Sequence, residues 1–317
     1  MAKINLLDLF SGIGGFHLGL EKSGFKFDKV FNSDIDKYAN AVYKYNFKES
    51  VNVGSVTDVR GSDLPKINAI TFGSPCQDFS IGGRRAGLEG GRSSLISEAI
   101  RLINECRPDF FIWENVKGTF SSNNGEDFWA IIQAFTNIGG YRLEWQLLNT
   151  RWFLPQNRER IYLVGYLGEK CRKKIFPITE NDYKINELQR QQGSTNTLKV
   201  GGTNGQGSYI IERQFISQKK IGDYRYDEGF RWRNDNNSPT LTLKDRIFLK
   251  EEEKIRNLTP IECERLQGFP DDWTKIGIDG LISNTQRYKM CGNAVTVDVV
   301  AAVGKKLYNE LRNEKNA

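Results

Sequence analysis

Histidine and paired cysteines are scarce in this sequence, and their scarcity argues against several kinds of functional site. His17 is the only histidine in the chain of 317 residues, and no two of the five cysteines form a CxxC pair. We therefore expect neither a zinc site nor a disulfide framework, and no metal. A Ser-His-Asp or Cys-His mechanism would depend on His17 alone, so acid and base chemistry is expected from carboxylates, water or a thiolate.

Long apolar runs are also missing. No stretch of about 18 apolar residues is present to span a bilayer. The first residues, Met1-Ala2-Lys3, lead into a strand-like run without the apolar region of a signal peptide. Scattered cysteines are typical of a reducing compartment, so a soluble cytoplasmic protein is expected. The net charge of +6 is only a weak indication of a polyanionic partner.

Short apolar runs alternate with helical patterns through the first half of the chain. The strand-like runs lie at 4–10, 29–34, 69–72, 109–113, 141–148 and 160–166. Helical patterns follow several of them, up to residue 20 and at 36–45 and 93–106. This alternation predicts an α/β fold, a mostly parallel sheet with helices on both faces.

The composition changes after about Gly168, where the alternation stops and Gln, Gly, Asn, Thr and Ser become frequent. This change predicts a smaller, irregular second domain. Helical signals return with a capping box that begins at Thr259, and with a last helix near 296–311. The predicted division is 1–170 for the first domain, 171–280 for the second domain and hinge, and 281–317 for a segment that returns to the first.

Functional residues are expected where the strands end, because ligands of parallel sheets bind beyond the carboxyl ends of strands. The first strand leads into a turn, Gly12-x-Gly14-Gly15, whose spacing differs from the GxGxxG pattern of dinucleotide sites. A tight turn without a ligand is the alternative interpretation. Asp34, at the end of the next strand, could accept hydrogen bonds from a ribose diol or could cap the following helix.

Cys76 and Glu114 follow two further strands. Arg84 and Arg85 near Cys76 would favour its thiolate form, although many free cysteines are simply buried. Burial of a carboxyl at the end of a strand, as expected for Glu114, costs free energy unless the carboxyl has a partner. Glu114 could therefore be a proton donor, a member of a salt bridge or a helix cap. Strand alternation would point the side chains of Arg158 and Arg160 the same way, which suits recognition of a phosphate or a carbonyl. A solvated run of charges is the alternative interpretation.

Six segments, in this order, resemble the DNA (cytosine-5-)-methyltransferase family, in particular the bacterial and phage enzymes of type II restriction-modification systems. They are DLFSGIGG (8–15), GSPCQDFS (73–80), ENV (114–116), QNRER (156–160), RNLTPIECERLQGFP (256–270) and CGNAV (291–295). The resemblance covers nearly the whole chain except about 171–245, where the family keeps its target-recognition domain. It implies a Rossmann-like domain that binds S-adenosylmethionine and a smaller, irregular target-recognition domain.

The resemblance also implies roles for individual residues. Cys76 would be the nucleophile, Glu114 the acid at the base edge, and Arg158 and Arg160 supports for the base. The implied cofactor-binding residues are Asp8, Phe10, Gly12, Gly14, Asp34, Ile35, Ser55, Val56, Pro75, Asn293 and Val295. Ile35 stands where relatives often carry an aromatic residue, and Ser55 where they often carry an acid. The implied DNA-binding residues are Gln77, Ser80, Arg84, Arg85, Arg92, Lys173, Arg231 and Arg233.

The resemblance therefore implies an enzyme that methylates carbon-5 of cytosine in a specific double-stranded DNA sequence, through a flipped base and a covalent Cys76 adduct. A monomer and a companion restriction endonuclease are expected. Three alternatives stay open at this point. They are a tRNA cytosine-5 methyltransferase of the same family, a catalytically silent DNA-binding regulator, and a nicotinamide oxidoreductase, which the glycine spacing disfavours.

Overall fold

A computed structural model describes most of the first domain and parts of the second. The described residues are 3–74, 95–168, 171, 173–180, 220–225, 229–233, 246–251 and 254–313. Within them, no helix is long and apolar enough to cross a membrane.

A seven-stranded sheet forms the centre of the first domain. Its strands are β1 (Ile4–Leu9), β2 (Phe27–Ser33), β3 (Val51–Asn52), β4 (Ala69–Gly73), β5 (Phe110–Val116), β6 (Tyr141–Asn149) and β7 (Glu159–Leu167). They lie in the order β3-β2-β1-β4-β5-β7-β6. Strands β1 to β5 pair in parallel, whereas β7 runs antiparallel to both β5 and β6. The predicted α/β fold with a mostly parallel sheet is confirmed.

The described residues form seven α-helices, and those of the first domain cover both faces of the sheet. They are α1 (Gly15–Ser23), α2 (Lys37–Asn46), α3 (Leu95–Cys106), α4 (Glu126–Asn137), α5 (Pro260–Leu266), α6 (Asn284–Asn293) and α7 (Val297–Asn313). Strand β1 is apolar on both sides: Leu6 joins a core with α1 and α7, and Leu7 joins a second core with α3 and α4. Burial on both faces explains why this strand is a continuous apolar run rather than an alternating one.

Several details of the fold differ from the sequence-based expectation. The prediction placed Glu114 at the end of a strand, but β5 continues to Val116 and Glu114 lies inside it. Helix α4, short strand β3 and the reversed direction of β7 were not predicted. Apolar periodicity identifies buried strands, but it carries no information about their direction in a sheet.

The segment after residue 170 packs against the first domain. Ile175 and Ile178 lie in the same core as β1 and α7, and the backbone N–H of Ile175 donates to Glu144 on β6 at 3.0 Å. Residues 175–178, which follow the predicted end of the first domain at residue 170, therefore pack on that domain. Its edge strand β6 holds this segment through Glu144 and Gln146.

The residues after the second domain also return to the first one. Thr259 and Glu262 form the predicted capping box at the start of α5. Arg287 on α6 forms a buried ion pair with Glu264 on α5 at 2.9 Å. A short hairpin, β12 (Ile276–Gly277) and β13 (Gly280–Leu281), then packs its Gly277 against Ala41 of α2. These contacts place the 258–293 segment beside the first domain.

The described strands of the second domain form an antiparallel sheet. They are β8 (Lys220–Arg225), β9 (Gly229–Arg233), β10 (Arg246–Glu251) and β11 (Lys254–Asn257), in the order β11-β10-β8-β9. The sequence predicted an irregular domain, and this part of it is a regular sheet.

Candidate active site

The turn after β1 lies at the carboxyl edge of the sheet. Phe10, Gly12 and Gly14 all have positive φ, at 50°, 51° and 86°. Glycine tolerates this conformation because it has no Cβ, and at Gly12 an added Cβ would meet no atom within 4 Å. The backbone at Gly12 thus borders open space, and α1 begins directly behind it without a capping side chain.

Asp34 links this turn to β2. Its Oδ2 accepts a hydrogen bond from Gly12 N at 2.8 Å, and its Oδ1 accepts one from Asp36 N at 2.8 Å. Burial raises the pKa of Asp34 above its ordinary value, and these two hydrogen bonds oppose that shift. An ionised carboxylate has about four acceptor positions, so Asp34 retains capacity for a ligand's hydroxyl groups.

The residues next to Asp34 give this edge an apolar surface. The side chain of Ile35 is 85% exposed, which is unusual for an isoleucine, while Val56 is buried. Ser55 is half-buried, and its hydroxyl hydrogen-bonds the hydroxyl of Thr57 at 2.8 Å. Ile35 is thus available to a flat apolar ligand, whereas Ser55 is engaged locally.

Asp8 lies beneath the turn and not on its surface. Although it was expected among the cofactor-binding residues, its side chain is fully buried. Thr71 Oγ1 donates to Asp8 Oδ1 at 2.7 Å, and the Tyr43 hydroxyl lies 3.4 Å from Oδ2. Direct contact with a ligand is therefore blocked, and Asp8 supports the turn from within the core.

The segment that connects α6 to α7 closes over the same turn. Val295 is buried and touches Gly15, where an added Cβ would lie 2.6 Å from its Cγ2. Asn293, at the end of α6, is exposed. Both predicted residues therefore lie on one short segment, with Val295 against the start of α1.

Arg158 holds this C-terminal segment to the sheet. It is buried, and its guanidinium donates to the carbonyl oxygens of Ala294 at 3.0 Å and Gly292 at 3.4 Å. Gln267 adds a second attachment, because its Nε2 donates to the Cys291 carbonyl at 3.0 Å. These contacts are with the backbone of the C-terminal segment, and the role implied by the resemblance, a support for the base and catalytic centre, stays a prediction.

Glu114 and Arg160 form the central pair of the site. They lie on the neighbouring strands β5 and β7, and Arg160 Nε is 3.1 Å from Glu114 Oε1. The contact is an ion pair, and among the described residues Glu114 Oε1 has no hydrogen-bond partner. Gly73 faces Glu114 across β4 and β5, and a Cβ there would approach Glu114 Oε2 to 3.1 Å. Glycine at 73 thus leaves room for the carboxyl.

Ser74 fixes the chain where it leaves β4. Trp113 Nε1 donates to Ser74 Oγ at 3.1 Å, and Asn115 Nδ2 donates to the same oxygen at 3.2 Å. All three side chains are buried. The residues on either side of Glu114 therefore bind the start of the segment that contains Cys76. Neither Ser74 nor Trp113 was singled out from sequence, although Ser74 lies within the motif GSPC and Trp113 directly precedes ENV.

A cavity of about 300 Å³ adjoins Arg160 on the solvent side. Its walls are Val116, Lys117, Gly118, Asn157, Glu159 and Arg160. Lys117 and Glu159 form an exposed ion pair at 2.9 Å on this wall. The cavity thus opens beside one member of the Glu114–Arg160 pair.

Several predicted residues lie outside the described part of the chain. They are Pro75, Cys76, Gln77, Ser80, Arg84, Arg85 and Arg92. Arg231 and Arg233 lie two residues apart on β9, the edge strand of the second sheet. Lys173 is exposed, and its backbone N–H donates to Glu310 on α7 at 3.1 Å. Among the described residues, no three His, Cys, Asp or Glu side chains are close enough to hold a metal ion.

Comparison with known proteins agrees with this arrangement. Residues 4–309 match the C-5 cytosine-specific DNA methylase family. The chain is 31% identical to the type II methyltransferase M.Bsp6I of Bacillus sp. (strain RFL6), over 97% of this chain and 99% of that protein. It is 33% identical to the type II methyltransferase M1.ScrFI of Lactococcus lactis subsp. cremoris, over 99% of this chain and 80% of that protein.

Solved structures show the same fold. The S. pombe Dnmt2 methyltransferase superposes with a TM-score of 0.67 at 20% identity, and the match covers 99% of this chain and 100% of that one. The strand order, the turn after β1, the Glu114–Arg160 pair and the match over residues 4–309 lead to one conclusion. The chain belongs to the C-5 cytosine-specific DNA methylase family, and it is a transferase that methylates carbon-5 of cytosine in DNA.

Proposed function

We propose that this enzyme takes the methyl group from S-adenosylmethionine and places it on a cytosine flipped out of a specific DNA duplex, with Cys76 as the nucleophile. The observation that supports this most strongly is the Glu114–Arg160 pair at 3.1 Å, next to the residues that bind Ser74. Cys76 follows Ser74 by two residues, and covalent geometry keeps their Cα atoms within about 7 Å. The proposal therefore assigns the Cys76 thiol and the Glu114 carboxyl to one catalytic centre.

The residues at the turn fit S-adenosylmethionine. Backbone amides at the uncapped start of α1 suit the cofactor's carboxylate, because helix N-termini attract negative charge. Asp34 has acceptor capacity for the ribose hydroxyls, and exposed Ile35 offers an apolar surface to the adenine. Asn293 and Val295 would close this pocket from the C-terminal side. When bound, the cofactor supplies an electrophilic methyl group on a sulfonium sulfur.

Chemistry explains why a thiol and a carboxyl are both needed. Carbon-5 of cytosine is a poor nucleophile because the ring is electron-poor. Addition of the Cys76 thiolate to carbon-6 breaks the ring conjugation and makes carbon-5 nucleophilic. Glu114 would offer a proton or hydrogen bond at ring nitrogen 3, where negative charge develops, and Arg160 would stabilise the 2-oxo group. After methyl transfer, loss of the carbon-5 proton to water restores the double bond and expels Cys76.

A duplex hides carbon-6, so the target base must leave the stack to reach the pocket. The second domain would read the surrounding sequence, with Arg231 and Arg233 on an edge strand as candidate contacts. The named relatives are type II methyltransferases, so we propose that this enzyme is the modification partner of a restriction endonuclease. It would act in the cytoplasm, as a monomer and without a metal ion.

A transfer assay tests the proposal directly. The purified chain is incubated with S-adenosylmethionine carrying a labelled methyl group and with either duplex DNA or tRNA. We expect label in DNA only, and bisulfite sequencing of DNA from expressing cells should show 5-methylcytosine at one short sequence. Label in tRNA alone would instead identify the RNA-modifying alternative, and label in neither would support the silent DNA-binding regulator.

The exposed side chain at position 35 leads to a prediction about cofactor affinity. Ile35→Trp should lower the Kd for S-adenosylmethionine roughly 2- to 10-fold, because an aromatic ring stacks on adenine with about 0.5–1.5 kcal/mol beyond simple burial. Isothermal titration calorimetry measures this change. Ile278→Trp is the matched control, since Ile278 is also exposed, at 60%, but lies on the hairpin between β12 and β13. Equal Kd values for Ile35→Trp and the unmodified protein would contradict adenine binding at this position.

A further inference from the structure

A chain of polar side chains runs through the core beneath the turn after β1. It begins at Thr71 on β4, continues through Asp8 on β1 and Tyr43 on α2, and reaches His17 on α1. Thr71 Oγ1 lies 2.7 Å from Asp8 Oδ1, the Tyr43 hydroxyl lies 3.4 Å from Asp8 Oδ2, and His17 Nδ1 lies 3.0 Å from that hydroxyl. His17 Nε2 then faces Glu21 Oε1 at 3.5 Å.

This chain is buried and supports the turn directly. Asp8 and Tyr43 are fully buried, and His17 is 4% exposed. The ring of His17 stacks on Phe47 at 3.8 Å between centroids. At Gly14 an added Cβ would lie 2.4 Å from the Phe47 ring and 3.1 Å from the Tyr43 ring. A rearrangement of Tyr43 or His17 would therefore change the packing against Gly14, in the turn proposed to hold the cofactor.

Proton counting leaves two arrangements for these hydrogen bonds when the His17 ring is neutral. The Tyr43 hydroxyl has one proton, so it can donate to His17 or to Asp8, but not to both. If it donates to His17 Nδ1, then Asp8 must carry a proton and donate to Tyr43, and His17 Nε2–H points at Glu21. If it donates to an ionised Asp8, then His17 must carry its proton on Nδ1. In a neutral ring, Nε2 would then have no proton, so two acceptors, Nε2 and the Glu21 carboxylate, would face each other.

We propose that protonated Asp8 is a positioning residue, which holds His17 in its Nε2–H form through Tyr43 and so keeps the cofactor turn in its binding geometry. Ionisation of Asp8 reverses the Tyr43 hydroxyl and moves the His17 proton to Nδ1. The link to the cofactor rests on the proposed function of the turn, whereas the link between Asp8 and His17 does not.

The charges around Asp8 favour its protonated form. Burial raises the pKa of Asp8, the hydrogen bonds of Thr71 and Tyr43 lower it, and the nearby Asp34 carboxylate raises it slightly, so that together they bring the pKa to about 8. The other titratable groups that reach this chain are Tyr43 on α2, and His17 and Glu21 on α1. Because Asp8 is an acid with a raised pKa, it is mostly neutral near pH 7 and ionises as the pH rises through about 8.

The single histidine makes this proposal testable by one NMR signal. The chain is labelled with ¹⁵N-histidine, and the ring nitrogens of His17 report which one carries the proton. Near pH 7 we expect the Nε2–H form. Near pH 9.5 the unmodified protein should shift to Nδ1–H, whereas Asp8→Asn should keep Nε2–H, because its amide donates to Tyr43 at every pH while Oδ1 still accepts from Thr71. Tyr43→Phe should show no fixed preference.

Isothermal titration calorimetry on the same proteins tests whether the change of the His17 tautomer alters cofactor affinity. In the unmodified protein, the Kd for S-adenosylmethionine should rise roughly 5-fold between about pH 7 and pH 9.5, which is at the low end of the coupling usually found between two sites. In Asp8→Asn, the Kd should be the same at both pH values. An Nδ1–H ring near pH 7, or the same alkaline shift in Asp8→Asn, would overturn the link between Asp8 and His17. A tautomer shift without any change in Kd would overturn only the link to the turn.

Discussion

Cys76→Ala should abolish methyl transfer and should remove covalent capture by DNA that contains 5-fluorocytosine. The expected loss in kcat is roughly four orders of magnitude or more, because removal of a nucleophile leaves only binding and electrostatic contributions to the rate. Fluorine at carbon-5 cannot leave as a proton does, so an adduct on Cys76 persists and shifts the protein on a denaturing gel. Persistent capture by the Cys76→Ala protein would remove Cys76 from the proposed role.

Three of the four described cysteines, Cys106, Cys263 and Cys291, are poor substitutes for Cys76 as a nucleophile. Burial raises the pKa of the Cys106 thiol to about 11 and that of Cys263 to about 12, and it raises the pKa of Cys291 well above its ordinary value. These thiols therefore remain protonated at neutral pH, where only a thiolate is an effective nucleophile. Cys106→Ala is the matched control, since Cys106 is only partly buried, and it should retain both methyl transfer and capture.

Glu114→Gln should lower kcat by roughly two to four orders of magnitude, which is the usual contribution of a positioned acid or base. Glutamine keeps the volume of the side chain beside Gly73, but it cannot donate a carboxyl proton to ring nitrogen 3. It also removes the partner of Arg160, whose guanidinium is largely buried at 17% side-chain exposure. Single-turnover transfer to duplex DNA measures this loss, and the Kd for S-adenosylmethionine should change little, because no described contact joins Glu114 to the turn.

A second carboxylate–arginine pair supplies the control for Glu114. Glu105 pairs with Arg101 at 2.8 Å within α3, away from the carboxyl edge of the sheet. Glu105→Gln should leave kcat within about twofold, because exposed ion pairs contribute about 0–1 kcal/mol to stability and nothing to the chemistry. Similar losses of kcat in the two variants would show that Glu114 acts through folding and not at the base.

The amino-acid pattern predicted much of the fold because the strands are buried and short. Continuous apolar runs marked β1, β4 and β5, and the helical signal at the C-terminus marked α7. Direction and order could not be predicted, because they depend on which strand edges pair in space. The reversed β7 brings Arg160 beside Glu114, and nothing in the local sequence of 159–167 specifies that reversal.

The sequence predicted which residues lie near the candidate site better than it predicted what their side chains contact. Asp8 and Arg158 were both placed near the ligand, yet Asp8 lies wholly in the core and Arg158 reaches backbone carbonyls of the C-terminal segment. Sequence shows that a polar residue follows a buried strand, but not which way its side chain points. The Asp8–Tyr43–His17 chain was missed for the same reason, because its members come from three separate elements.

The packing of α7 on α1 has a consequence for the order in which the protein is made. Val300 lies against Gly19, and Val295 lies against Gly15, so the layer that closes the turn comes from residues near 300. A ribosome releases the whole sheet and the second domain before it releases this layer. The cofactor pocket therefore cannot be completed before residues near 300 have been made, and until then the face of the sheet that α7 covers lacks part of its core.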